Sequence, residues 1–176
     1  MTGPLFVDAN VFLYASDEGE PVKQPRAIAW LDRLWQEKSG RTSVQVLSEY
    51  YVNLKRKSGP RLPAQEAWMR VAKYLAWGPQ PVDEILFRRA REVEQRHRIS
   101  WWDSMVVAAA QLQDCELLLT EDLQDSGVYG TVTVRSPFTL EVREGARTYA
   151  VLPRAESPHR PRGRPRRAVH ESSGKR

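Results

Sequence analysis

Leu5-Phe6-Val7-Asp8-Ala9-Asn10 and Leu117-Leu118-Leu119-Thr120-Glu121-Asp122 are the two stretches whose reading decides the fold. In each, a short apolar run stops at a polar segment that carries an aspartate. Runs this short suit strands buried on both faces, and Val132-Thr133-Val134 offers a third. The segments between them read as helices. Strands separated by helices point to an α/β protein with a short parallel sheet covered on its faces. Asp8-Ala9-Asn10 reads as the turn that ends the first strand.

Outward from these strands, apolar residues recur at helical spacing. Ile28, Leu31, Leu34 and Trp35 share one face from about Pro25 to Lys38, and Ser39-Gly40 stops that helix. Ser43 suits the N-cap of a second helix, which carries Val44, Leu47, Tyr51 and Leu54 until Ser58-Gly59-Pro60 breaks it. A third runs from Pro63 to Trp77 and ends at Gly78-Pro79. A fourth starts near Asp83 with Leu86, Ala90, Val93 and His97. Ser100 opens a fifth, Trp101 to about Gln113, whose Ala108-Ala109-Ala110 stretch permits close packing. Thr139 to Leu152 alternates around Glu144-Gly145 as a hairpin would. No internal repeat is visible. The expected organisation is a domain over 1–138, a β-hairpin extension over 139–152 and a tail over 153–176.

At 176 residues, 41% of them hydrophobic, the chain can build one domain with a real core. No run approaches the roughly 20 apolar residues of a membrane helix. Met1-Thr2-Gly3-Pro4 lacks the basic region of a signal peptide. The single cysteine, Cys115, excludes an internal disulfide and a cysteine-rich zinc site, and its place between a helix and a strand suits an inert core position. The expectation is a cytoplasmic, reduced protein with no membrane partner. The net charge of +5 is unevenly placed: residues 153–176 hold eight of the 27 basic and two of the 22 acidic residues, leaving 19 and 20 in 1–152. The body is nearly neutral. The tail, rich in Arg and Pro, should be disordered, as a phosphate-binding arm or a solubility tail.

Four acids stand out: Asp8, Glu49, Asp103 and Asp122. Asp8 and Asp122 lie just beyond strands, and ligands of an open parallel sheet collect outside the carboxyl ends of its strands. With Val44 at zero and about 100° per residue, Leu47, Tyr51 and Leu54 fall near 300°, 340° and 280°, and Glu49 near 140°, well off that stripe. Asp103 sits in the first turn of its helix, where the dipole favours a negative charge. Carboxylates about 4 Å apart repel by about 4 kcal/mol per pair at an effective dielectric near 20. Such a cluster therefore persists only when protons or cations neutralise it. Magnesium takes oxygen ligands, keeps several waters and suits in-line attack on a phosphodiester. Taken singly, each acid has an ordinary reading. Ser100-Trp101-Trp102-Asp103 fits a capping box, Glu49 a solvated helix position, and Asp8 and Asp122 strand-end turns.

The motifs together resemble the PIN-domain family. Val7-Asp8-Ala9-Asn10-Val11 is similar to its opening motif and Val46-Leu47-Ser48-Glu49-Tyr50 to its second. Trp102-Asp103-Ser104-Met105-Val106-Val107-Ala108-Ala109-Ala110 resembles the third, and Leu118-Leu119-Thr120-Glu121-Asp122-Leu123 the fourth. All four occur in order, and the resemblance spans roughly residues 5–138. It implies a three-layer α/β fold and cleavage of RNA with magnesium, or manganese in its place, at Asp8, Glu49, Asp103 and Asp122. Asn10 and Thr120 match the supporting polar positions, whereas Ala9 stands where Thr is commoner. Within the family the chain looks most like the VapC-type toxins of bacterial toxin–antitoxin pairs. That likeness implies a single-strand-specific or structure-specific endoribonuclease, a homodimer and an antitoxin protein as inhibitor.

Other residues invite functional readings. Trp101 and Trp102 could stack on bases, with at least one expected in the core. His97 ends a helix, and Lys55-Arg56-Lys57 and Arg88-Arg89 read as surface charge. Asp125 is a fifth carboxylate or a turn residue with Ser126-Gly127. The aromatic residues Trp30, Trp35, Tyr50, Tyr51, Trp68 and Trp77 exceed what a small sheet layer needs and suggest an interface. The competing functions are an RNA-processing or DNA-directed nuclease without an antitoxin, and a non-catalytic RNA-binding module. A binder would gain nothing from negative charge beside phosphate. A haloacid-dehalogenase-type phosphotransferase would need Asp where Asn10 stands, and the glycine fingerprint of dinucleotide binding is missing.

Overall fold

Apolar triplets become strands only where a sheet can bury them on both sides, and the two decisive stretches pair with each other. The computed structural model describes residues 3–56 and 62–139, together with the backbone of 143–144 and 147–148. Strand β1 (Leu5–Val7) lies parallel to β2 (Gly40–Arg41) on one side and to β3 (Leu117–Leu119) on the other. Strand β5 (Val132–Arg135) runs parallel to β3, and β4 (Val128–Tyr129) closes the edge antiparallel to β5, giving the order β2-β1-β3-β5-β4. Leu5 pairs with Leu117 and Val7 with Leu119, so β1 and β3 end side by side. Asp8 extends this pairing, its N–H donating to the Leu119 carbonyl at 3.1 Å.

Helices flank this short sheet in a three-layer α/β arrangement. They are α1 (Ala9–Ala15), α2 (Lys23–Gln36), α3 (Val44–Arg56), α4 (Ala64–Ala72), α5 (Glu84–His97) and α6 (Trp101–Leu112). A 3-10 turn, Lys73–Trp77, prolongs α4 and stops at Gly78, whose φ of 61° lies in the left-handed region that glycine enters at no steric cost. α5 packs on α6, while α1 packs on both α2 and α3. Among the described residues, no helix is long and apolar enough to cross a membrane.

Several expectations need correction. Asp8-Ala9-Asn10 is not a turn but the start of α1, because the same residue types that favour turns also cap helices. Ala9, Val11 and Phe12 of that helix are buried. On α2 the core face is Ala27, Trp30, Leu31 and Leu34, and Ile28 is 40% exposed. On α3 it is Val46, Leu47, Tyr50 and Leu54, with Val44 at 41% exposure. Backbone bonds from Val44 N–H to Gln80 O (3.0 Å) and from Gln80 N–H to Thr42 O (2.9 Å) tether the start of α3 and set its rotation. β2 and β4, of two residues each, are too short to show a period. The expected break at Ser58-Gly59-Pro60 falls outside the described residues, apart from the end of α3 at Arg56.

The aromatic surplus goes largely into the core. Trp30, Tyr50, Tyr74 and Trp77 are buried, and the Phe12 ring lies 5.4 Å from Tyr50 and 4.5 Å from Tyr74. The Trp35 ring lies tilted against Trp77 at 5.4 Å, and of the six residues that suggested an interface only Trp68 is exposed. Gly40 is required beside this cluster, since a Cβ there would come within 2.6 Å of the Trp77 ring. Cys115 is buried as expected, and burial pushes its thiol pKa up to about 12. Strands β6 (Arg143–Glu144) and β7 (Arg147–Thr148) pair antiparallel, while the tail 153–176 lies outside the described residues.

Candidate active site

Because β1 and β3 end in register, Asp8 and Thr120 leave the sheet together. Asp8 is an extended N-cap, 1% exposed, whose Oδ1 accepts the Ala9 N–H at 2.7 Å. Its Oδ2 accepts the Thr120 hydroxyl at 2.8 Å and the Asn10 amide at 3.5 Å. Having donated to Asp8, Thr120 Oγ1 accepts twice, from Asn10 Nδ2 at 2.9 Å and from the Asp122 N–H at 3.1 Å. One hydroxyl thus uses its donor and both lone pairs to join Asp8, Asn10 and the backbone of Asp122. The partner oxygen Asn10 Oδ1 is buried and finds no hydrogen bond.

The other two acids sit on helices. Ser100 caps α6, its Oγ accepting the Asp103 N–H at 3.1 Å and donating to Asp103 Oδ2 at 2.7 Å. The capping reading of Ser100 and Asp103 is therefore realised, and it fixes the carboxylate at the helix's first turn. Glu49 is half-buried on α3, flanking the buried stripe of Val46, Tyr50 and Leu54. Gln45 Nε2 reaches the Trp102 carbonyl at 3.5 Å, which links the first turn of α3 to the first turn of α6. Asp103's charge also reaches Tyr129, whose pKa is raised first by burial and then by that carboxylate.

A group that the sequence reading overlooked lies beside the β3 end. Lys23, 8% exposed at the start of α2, donates to Glu121 Oε2 at 2.8 Å and to the Tyr14 hydroxyl at 3.0 Å. Its ammonium lies 4.3 Å from the Tyr14 ring centre and 5.2 Å from that of Phe138. Burial disfavours the Lys23 charge, but the bonds to Glu121 and Tyr14 outweigh it and the amine's pKa is raised. Nothing in the local pattern distinguishes this lysine from a surface one. Only its partner, next to Asp122 in the fourth motif, offers a hint.

Other candidates resolve into structural roles. Asp125 Oδ1 accepts the Ser136 N–H at 2.8 Å and lies 3.4 Å from Arg135 Nε, so it anchors the turn after β3. Trp101 packs 5.5 Å from Phe87, while Trp102 is 54% exposed. His97 stacks edgewise on Tyr129 at 5.1 Å. Arg88 and Arg89 pair with Glu84 and Glu92 on their own helix.

Among the described residues, no group of three or more His, Cys, Asp or Glu side chains is close enough to hold a metal ion. The chemistry of the donor set nevertheless fits a hard cation. Asp8 and the unsatisfied Asn10 Oδ1 supply only oxygens at the strand ends, and magnesium is commonly held by one or two carboxylates with water completing its shell.

Residues 5–125 match the PIN domain family, and the chain belongs to it. A solved structure similar to this chain is the Mycobacterium tuberculosis toxin VapC20, described as cleaving the sarcin–ricin loop. The two are 23% identical with a TM-score of 0.49, over 65% of this chain and 86% of that one. No curated protein matches the sequence.

Proposed function

We propose that the chain is a magnesium-dependent endoribonuclease in which Asp8, Glu49, Asp103 and Asp122 form the active site. The observation that carries this reading is the Thr120 hydroxyl joining Asp8, Asn10 and the Asp122 backbone at adjacent strand ends, within a PIN domain matched over residues 5–125. When bound, magnesium supplies an activated water and offsets the charge gathered at the phosphodiester. Asp8 is oriented for this by two donors that leave its oxygens fixed, the Ala9 N–H and the Thr120 hydroxyl. Asp103 is held by Ser100, so its carboxylate does not have to be ordered when substrate arrives. Glu49 and Asp122 complete the acid set in this reading.

Within the same reading the chain is the toxin of a toxin–antitoxin pair and works as a homodimer. An antitoxin placing an arginine among the acids would neutralise them and compete with the metal. RNA cleavage by the purified full-length chain with magnesium, and after chelation, tests the enzymatic part. Cleavage that persists in chelator, or that acts on DNA alone, would contradict it. Growth arrest on expression, relieved by a small adjacent gene, tests the toxin part. Free growth with RNA cleavage in vitro would favour a processing nuclease.

A further inference from the structure

Lysine is almost never buried unless its charge is paired, and burying the charge is costly without that partner. We infer that Lys23 is a positioning residue for the proposed active site, acting through Glu121 on the turn that carries Thr120 and Asp122. The chain of contacts is short. Lys23 Nζ holds Glu121 Oε2 at 2.8 Å, Glu121 lies between Thr120 and Asp122, and Thr120 Oγ1 bonds both Asp8 Oδ2 and the Asp122 N–H.

The lysine is itself fixed from two other directions. Tyr14, from the end of α1, accepts its second hydrogen bond at 3.0 Å and lies beneath the ammonium. Phe138, which follows β5, sits 5.2 Å away and meets Tyr14 edge-on at 5.1 Å. The backbone of that segment is tied to α2 by Arg26, which donates to Phe138 O at 2.6 Å, and by Trp30 Nε1, which donates to Pro137 O at 3.0 Å. α1 and the segment after β5 thus converge on a cation carried by α2, whose acidic partner among the described residues is Glu121, the residue before Asp122. A lysine serving only to fill space would not need a carboxylate, and a methionine would fill it more cheaply. With the side chain this buried, direct contact with a nucleic-acid phosphate is excluded as its main role.

This inference rests on the active-site reading above, and its test separates the two. The test uses Lys23→Met, which keeps the volume, and Glu121→Gln, which keeps the shape, in the full-length chain. Manganese binding is measured by titration calorimetry, and exchange of the Asp122 amide by NMR. Loss of an outer-shell partner costs metal affinity about 10- to 100-fold, and both variants should show a loss in that range. The double variant should lose little more than either single one, because both changes break one chain of contacts. The Asp122 amide should exchange faster in both, while amides within α5 do not change. Manganese affinity within about twofold of wild type, or unaltered Asp122 exchange, would overturn the inference even if the melting temperature fell, since this is what a packing role alone predicts. If the unaltered protein binds no manganese, the active-site reading fails instead, and the exchange measurement still decides whether Lys23 pins the turn.

Discussion

At Asp8 one carboxylate oxygen caps α1 and the other receives the Thr120 hydroxyl, so a single side chain serves the fold and the proposed site at once. Repulsion alone would let neutralisation of any of the four acids hold or raise stability. Asp8, only 1% exposed, has in addition a buried hydrogen-bond network to keep satisfied. Asparagine could still cap the helix, but its NH2 would face Thr120 Oγ1, which already accepts from Asn10 and Asp122. Asp8→Asn should therefore lose about 1–3 kcal/mol in urea unfolding, the cost of a buried group left unsatisfied. An Asp8→Asn protein as stable as wild type would refute this account of the network. Cys115 provides a pH test. Burial raises its thiol from 9.0 to about 12, so the folded chain keeps a proton that the unfolded chain releases. Its contribution is complete below pH 9.0 and is lost as the pH climbs towards 12. Cys115→Ala should flatten the alkaline loss of stability in that window without abolishing it, because Tyr14, Tyr50 and Tyr74 are also raised by burial. Parallel alkaline slopes for the two proteins would contradict the assignment.

At the scale of elements, β1, β3 and β5 were legible because buried triplets bounded by polar residues have few other uses. α5 and α6 were legible from their caps, Asp83 accepting the Leu86 N–H at 2.9 Å and Ser100 accepting that of Asp103 at 3.1 Å. α1 was not, since Asp8-Ala9-Asn10 looks the same before a turn and before a helix. The rotation of α3 was not legible either, because it depends on Gln80, far along the chain. β2 shows how little of an element a sequence need reveal. Its Gly40 first reads as a helix stop, yet it forms an edge strand on which the Trp77 ring rests. Gly40→Ala would drive a Cβ to 2.6 Å from that ring and should cost about 1–3 kcal/mol by overpacking, with a changed tryptophan emission. An unchanged unfolding midpoint would show that the β2 edge yields freely.

For the whole molecule, the family could be read from motifs in order, and the same motifs nominate the four acids of the proposed site. The Lys23–Glu121–Tyr14 group could not, because it joins α1, α2 and the β3 end through side chains with no local pattern. The compositional argument for a dimer weakens once Trp30, Tyr50 and Trp77 are seen in the core. What supports self-association is now the proposed toxin role and the exposed Trp68. Light scattering should give a mass near twice the 20.2 kDa of one chain, and a mass near 20.2 kDa at micromolar concentration would remove the dimer from the proposal. The central claim is that acids from the ends of β1 and β3, from α3 and from α6 act on one phosphodiester. Glu49→Gln and Asp103→Asn test it most directly, since they lie on helices and leave the Asp8–Thr120 network intact. Cleavage of single-stranded RNA in magnesium should fall at least about 100-fold in each variant, as loss of a group that stabilises transition-state charge typically costs. Full-rate cleavage by both would contradict the claim.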